Sequence, residues 1–366
     1  MLAAPMARDL GVSTPTVFAA FSVALGVSAL LGPAAGRTID RHGGRPVLIG
    51  TSMLFASGLV ALGAAQGVWS LFSAWVLIGL AMGSGLYEAA FATLVRLYGH
   101  GSRNAITGIT LIAGFASTVG WPLSTLLEAQ LGWRGACFTW AALHLLIGLP
   151  LNISLPRAPA KPELPRADTA SAAHPQAPPM RASLTTALLA FVFAATWFTS
   201  TAMAAHLPVL LQATGASLAV AVGVGALIGP AQVAGRLLEF GFLRHVHPLL
   251  SARLAALGHP LGVVLLLSAG PVLAPMFAVL HGAGNGILTI AKGTLPLVLF
   301  GPQGYGERQG LLMLPARVAQ ALAPFVFGLA LAHWGGAAVW LSAGLGVLAF
   351  LVLMVLPAVS RGTASH

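Results

Sequence analysis

Charge is what this sequence has least of. Eight Asp and Glu and 18 Lys and Arg serve 366 residues, so only 7% of the chain is charged. A globule of that size in water needs far more polar surface. Cysteine is reduced to Cys137, which excludes an intrachain disulfide and a cysteine metal cluster. Inside an apolar run it reads as an ordinary buried residue. The opening stretch Met1–Ser13 carries Arg8 and Asp9 but no basic segment followed by an apolar core, so it is not a signal peptide. A phosphate-cradling Gly-Lys-Ser/Thr loop is absent, which argues against ATP as the driving force. No nucleophile, base and orienting group occur as a set, which argues against an enzyme.

What is present is apolar helix. Hydrophobic residues make up 57% of the chain and the mean hydropathy is +0.88. Runs of about 20 residues, rich in Leu, Ala, Gly and Val, lack the period-two alternation of barrel strands and predict an all-α membrane protein. Spans are expected at about 14–36, 47–65, 70–96, 104–129 and 134–155, then at about 184–211, 217–238, 249–269, 273–298, 308–332 and 337–357. Between the two sets, residues 156–183 hold seven prolines with Arg157, Lys161, Glu163, Arg166, Asp168 and Arg181. That composition cannot bury a core and reads as a linker. The expected organisation is a five-span bundle over 1–155, a linker over 156–183 and a six-span bundle over 184–366.

The net charge of +10 encodes topology rather than a nucleic-acid partner, because the basic residues sit in short gaps between spans. One side collects Arg37, Arg41, Arg45, Arg96, Arg103, the linker cations, Arg236, Arg244, Arg253, Arg308 and Arg361, while the other holds Arg8 and Arg134. The first side is therefore expected to face the cytoplasm, with the linker and the C-terminus, in a bacterial inner membrane. The halves also echo each other. Leu31-Gly32-Pro33-Ala34 matches Ile228-Gly229-Pro230-Ala231, and Gly83-Ser84-Gly85 before Thr93-Leu94 matches Gly284-Asn285-Gly286 before Thr294-Leu295. A recurring offset of about 200 residues indicates tandem duplication.

The charged turn Gly36-Arg37-Thr38-Ile39-Asp40-Arg41-His42-Gly43-Gly44-Arg45, with its degraded second copy Gly235-Arg236-Leu237-Leu238-Glu239, resembles the signature loop of the major facilitator superfamily. Gly36, Asp40, Arg41, Gly43 and Arg45 fall on that signature. Arg103 with Gly108, Gly132-Trp133-Arg134 and Leu155-Pro156-Arg157 resemble further family positions, so the likeness covers nearly the whole chain. It implies two pseudo-symmetric helix bundles. A full member has twelve helices and eleven are expected here, residues 1 to 9 standing where the first helix ends. The resemblance also implies that Asp40 caps the helix expected at 308–332, and that Arg41 and Arg96 join it in a charge network closing a cytoplasmic gate. Gly36, with no side chain, permits close helix approach. The alternative reading of these charges is as topology anchors.

Ionisable residues within spans are costly and are functional candidates by default. Glu88 and Arg317 are expected near mid-depth, and Lys292 is shallower, with a stem long enough to snorkel. Two cations and one carboxylate favour an anionic solute. Arg317 would hold it in a bidentate pair, Lys292 would add a point charge, and Tyr87 and Asn285 would shape the pocket. Glu88 and His206 are the candidate proton carriers. Trp197, Trp121 and Gln320 are further pocket candidates or ordinary packing residues. His144, His259, His281 and His333 show no metal-site spacing. Gly114, Gly120 and Pro122 fall short of the dense Gly-Pro-Gly cluster that marks the family's antiporters. The expected function is proton-coupled transport of a small organic anion such as a monocarboxylate by a monomer in a lipid bilayer, without cofactor, metal or nucleic acid. Efflux of drugs or amphipathic compounds, and a non-transporting receptor or scaffold, are the alternatives.

Overall fold

The computed structural model describes residues 2–158 and 179–356, side chains at 117, 118, 121 and 179–182 excepted. Most of the expected linker, Trp121 as a pocket candidate, and Arg361 lie outside what is described. Among the described residues all regular structure is helical. In chain order the helices are α1 (Ala3–Asp9), α2 (Thr14–His42), α3 (Gly44–Gly63), α4 (Val68–Gly85), α5 (Tyr87–Tyr98), α6 (Arg103–Ala113), α7 (Ala116–Leu143) and α8 (Leu149–Ser154). They continue with α9 (Pro179–Ala213), α10 (Leu218–Gly241), α11 (Pro248–Ala269), α12 (Ala274–Phe300), α13 (Tyr305–Trp334) and α14 (Val339–Val355). Eight stretches are long and apolar enough to cross a membrane. Three of these, Val68–Ala113 with 46 residues, Pro248–Phe300 with 53 and Tyr305–Val355 with 51, are at least twice the ~20 residues of one crossing, and the last two each contain two helices joined by a 3₁₀ turn.

The internal repeat is visible in the helix starts. Ser13 caps α2 and Ser217 caps α10, each accepting a main-chain N–H three residues on, and each helix carries an interior proline, Pro33 or Pro230. These caps satisfy donors that a helix start otherwise leaves open. The span expected at 70–96 is two helices, because Leu86 is extended between α4 and α5. Gly83 and Gly85 precede the break. A Cβ at Gly83 would lie 2.9 Å from the Ser28 carbonyl oxygen, so these positions favour close packing over helix propensity. The boundary expected between 129 and 134 is a reversal at Gly132, whose φ of 70° suits glycine.

The C-terminal helices pack around α9, which buries Leu189, Val192, Phe193, Met203, Leu210 and Leu211. An apolar groove of about 730 Å³, lined by Phe18, Phe21, Phe55, Trp75 and Trp140, runs among α2, α3, α4 and α7. On the edge of this region Arg134 joins three elements. It pairs with Asp9 at 3.0 Å and donates to the carbonyls of Gly63 and Ala65. The two halves meet mainly where α2 and α5 face α13 and where α6 faces α10 and α12.

Candidate functional site

Glycine decides how the halves meet. A Cβ at Gly36 would fall on the carbonyl of Gly306, and one at Gly310 would lie 2.5 Å from the nitrogen of Pro33. Gly32 and Gly36 on α2 therefore face Gly306 and Gly310 on α13, each pair four residues apart, and the backbones touch. That contact sets Asp40 at the start of α13. Its two carboxylate oxygens accept the N–H groups of Gly306 and Glu307, both at 2.9 Å. These donors have no partner inside their own helix, and the dipole there favours negative charge. Each such bond to a charged acceptor contributes about 1.5–3 kcal/mol. The neighbouring pair Arg37–Glu307, at 3.4 Å with side chains 49% and 41% exposed, adds ~0–1 kcal/mol. Tyr305, fully buried, donates to the carbonyl of Gly293 and ties the same end of α13 to α12.

The second copy of the turn makes a crosswise counterpart. Gly235 packs on Ala283 within the C-terminal half, whereas Arg236 and Glu239 reach into the N-terminal half. Arg236 donates to the carbonyl of Thr110 at 3.1 Å. Glu239 pairs with Arg103 at 3.3 Å, and Arg103 also donates to the carbonyls of Val246 and Leu243. Asp40 thus holds a helix of the C-terminal half, and Glu239 an arginine of the N-terminal half. Of the other turn residues, Arg41 is exposed, Arg45 and Arg96 are half-buried, and Gly43 closes α2 at a φ of 84° against Ala158.

Deeper in the interface the isolated charges converge. Arg317 Nη2 lies 2.9 Å from Glu88 Oε2, with side chains 9% and 16% exposed. Glu88 stands in the first turn of α5, directly after the Leu86 break, so the start of a half-helix supports its charge. Arg317 follows Pro315 within α13. Lys292 does not snorkel. It is 6% exposed, and its ammonium sits 4.1 Å from the centre of the Trp197 ring, a cation–π contact on α9. Gln309 donates to the carbonyl of Lys292. Glu88 and Arg236 both act electrostatically on Lys292 and on Tyr87. The site therefore gathers Glu88, Arg317, Lys292, Tyr87 and Arg236.

Two candidates stand apart. Asn285, two turns from Lys292 on α12, donates to Ser200 at 3.0 Å. His206 bonds the carbonyl of Pro324 through Nε2 at 2.8 Å and sits beside Phe327, away from Glu88. Sequence reasoning placed Arg236 only in the gate and left Trp197 as one pocket candidate among several. It also missed that His259 and His281, separated by 21 intervening residues on different helices, meet at 2.9 Å.

Two pseudo-symmetric helix bundles, clasped at one end and carrying charge in their interface, define a helical membrane transporter. The chain belongs to the major facilitator superfamily: it matches the profile of the Major Facilitator Superfamily over residues 1–291. Solved structures share the fold at low identity. The human organic anion transporter MFSD10 (TETRAN) is similar with a TM-score of 0.68 at 18% identity, over 95% of this chain and 87% of the other. The proton:xylose symporter XylE gives 0.68 at 14%, over 96% and 88%. The E. coli fucose:proton symporter FucP gives 0.70 at 13%, over 96% and 94%.

Proposed function

We propose that this chain is a proton-coupled secondary transporter of a small organic anion, such as a monocarboxylate, working by alternating access. The observation that carries this reading is the charge balance of the central site: one carboxylate, Glu88, pairs with Arg317 and acts on Lys292, which also feels the second guanidinium, Arg236. Buried charge without a partner is expensive, and an entering carboxylate supplies one. It competes with Glu88 for the Arg317 fork, takes the charge of Lys292, and meets the indole N–H of Trp197, which has no hydrogen-bond partner among the described residues. Glu88, displaced from Arg317, is then relieved of its own charge by a proton. One anion and one proton cross together.

The gate in this reading is the Asp40–α13 clasp with its Glu239–Arg103 counterpart, and Arg41, Arg45 and Arg96 anchor the same face. Charge asymmetry puts that face, the linker over 156–183 and the C-terminus in the cytoplasm, with bundles over 1–155 and 184–366 and eleven crossings in a bacterial inner membrane. The protein acts as a monomer. Similarity to an organic anion transporter and to two sugar symporters is similarity of fold, so the interior cations choose between these cargoes. Counterflow in proteoliposomes tests the reading with carboxylates, sugars and lipophilic cations as alternatives. Exchange of carboxylates alone supports it. Exchange of lipophilic cations points to efflux, and no exchange points to a receptor or scaffold.

A further inference from the structure

A second polar site lies inside the C-terminal bundle, outside the central cluster. Glycines bring α11 and α12 into backbone contact. A Cβ at Gly258 would lie 2.8 Å from the Leu280 carbonyl oxygen, and one at Gly284 would lie 2.6 Å from that of Ala255. The flanking rings of His259 and His281 consequently face each other, 7% and 4% exposed. Gly346 lets α14 close on Pro260, which sets Ser342 against His259.

The hydrogen bonds here have one consistent direction. Ser342 Oγ donates its single proton to the carbonyl of Val339 at 2.8 Å, so it accepts from His259 Nε2–H at 3.0 Å. The Nδ1 of His259 is then a bare lone pair and accepts the Nδ1–H of His281 at 2.9 Å. That leaves Nε2 of His281 as the one uncommitted base of the chain.

His281 lines a cavity of about 30 Å³ together with Thr196, Thr199, Asn285 and small residues of α9, α11, α12 and α14. One water needs ~10–15 Å³, so the cavity holds one or two. Thr199, 6% exposed, has a buried hydroxyl with no partner among the described residues, which is the mark of a site built for a polar occupant. His281, Asn285, Leu288 and Lys292 follow one another at helical spacing along one face of α12, and across it on α9 stand Thr199, Ser200, Thr196 and Trp197. The seam covers ~16 Å from His281 to Lys292. From α14 the polar group facing the pair is Ser342. Among the described residues the charged side chains of the surrounding helices are engaged elsewhere: Lys292 of α12 rests on Trp197, Arg236 and Glu239 of α10 bind the Thr110 carbonyl and Arg103, Arg253 of α11 binds the carbonyls of Leu353, Met354 and Leu356, and His206 of α9 that of Pro324.

We infer that the His259–His281 pair and its cavity form a proton-binding site of the C-terminal bundle, loaded at His281 Nε2 and leading along the α9–α12 seam to Lys292 and Glu88. A hydronium in the cavity gives one proton to Nε2 and remains as water. The resulting charge spreads over two hydrogen-bonded rings with no carboxylate beside it, so the loaded form passes its proton on rather than keeping it. This role in coupling rests on the reading of the chain as a proton-driven transporter.

Histidine ¹⁵N NMR of the purified protein tests the site without any substrate, with His259→Gln and His281→Gln assigning the signals. The expected result is an Nε2–H tautomer at His259, an Nδ1–H tautomer at His281, and protonation at His281 Nε2 as the sample is titrated from alkaline to acid pH. Reversed tautomers, or an Nε2 that stays bare throughout, overturn the proposal. In proteoliposomes, His281→Gln is expected to abolish uptake driven by a pH gradient while counterflow at equal pH persists. Retention of gradient-driven uptake overturns the coupling role. Should the native protein exchange no carboxylate, the proposed function fails, and the NMR result still decides the proton site.

Discussion

Arg317 Nη2 and Glu88 Oε2 stand 2.9 Å apart across the two halves of the protein, one on α13 and the other in the first turn of α5. Each side chain is held by the other half, so any ligand that separates them acts on the interface itself. This pair links the proposed substrate site to the relative position of the bundles.

Arg317→Gln is expected to weaken carboxylate binding by ~2–5 kcal/mol, about 30-fold or more. Glu88→Gln keeps the cations and is expected to retain anion exchange while flattening its dependence on pH. Counterflow measured from acid to alkaline pH checks both. Equal pH profiles for native protein and Glu88→Gln would remove Glu88 from the coupling.

The helix crossing makes a prediction from two glycines four residues apart. A Cβ at Gly36 would occupy the Gly306 carbonyl, whereas one at Gly32 would make an ordinary 3.7 Å contact with Gly310. Gly36→Ala is therefore expected to lower Tm markedly and Gly32→Ala to leave it nearly unchanged. Thermal melts in detergent decide this, and equal effects would contradict the close crossing.

Asp40→Asn replaces two charge-assisted bonds with one at most, since the amide presents a single acceptor. The clasp weakens by ~1.5–3 kcal/mol while the proposed substrate site, at Glu88 and Arg317, is untouched. Exchange rate is expected to change with equilibrium substrate affinity preserved, read by counterflow and by Trp197 fluorescence titration.

Trp197→Leu removes the face on which Lys292 rests and the free indole N–H. A loss of ~2 kcal/mol in anion affinity is expected, and Trp197→Phe should recover the cation–π part of it. Binding titrations of the two variants, followed by a change in Tm, separate the contributions.

Much of this was legible in the sequence, for identifiable reasons. Apolar runs and the placement of arginines report the membrane directly, so the helical class and the repeat needed no coordinates. Glu88, Lys292 and Arg317 stand out because a charge in an apolar run has few neutral explanations. Their pairing was hidden, since Glu88 and Arg317 belong to different halves and no local period connects them. The break at Leu86 was hidden too: hydropathy is continuous through 70–96, and only tight packing at Gly83 and Gly85 interrupts the helix. His259 and His281 looked scattered because their proximity depends on two helices touching at glycines. Whether Lys292 snorkels or stays inside was left open by the sequence, because its stacking partner, Trp197, lies on another helix.

The two clasps differ in what they recognise. Asp40 binds main-chain N–H groups, which every residue but proline offers, while Glu239 binds the side chain of Arg103. In genetic terms, a defect at Glu239 can be answered by a compensating change at position 103, though not by exchanging the two charges, since a carboxylate at 103 would face the Val246 and Leu243 carbonyls that Arg103 now holds. A defect at Asp40 has no such answer, because no second substitution alters an amide. Suppressors of Asp40 variants should therefore arise elsewhere, in residues that shift the balance between the two states of the proposed gate.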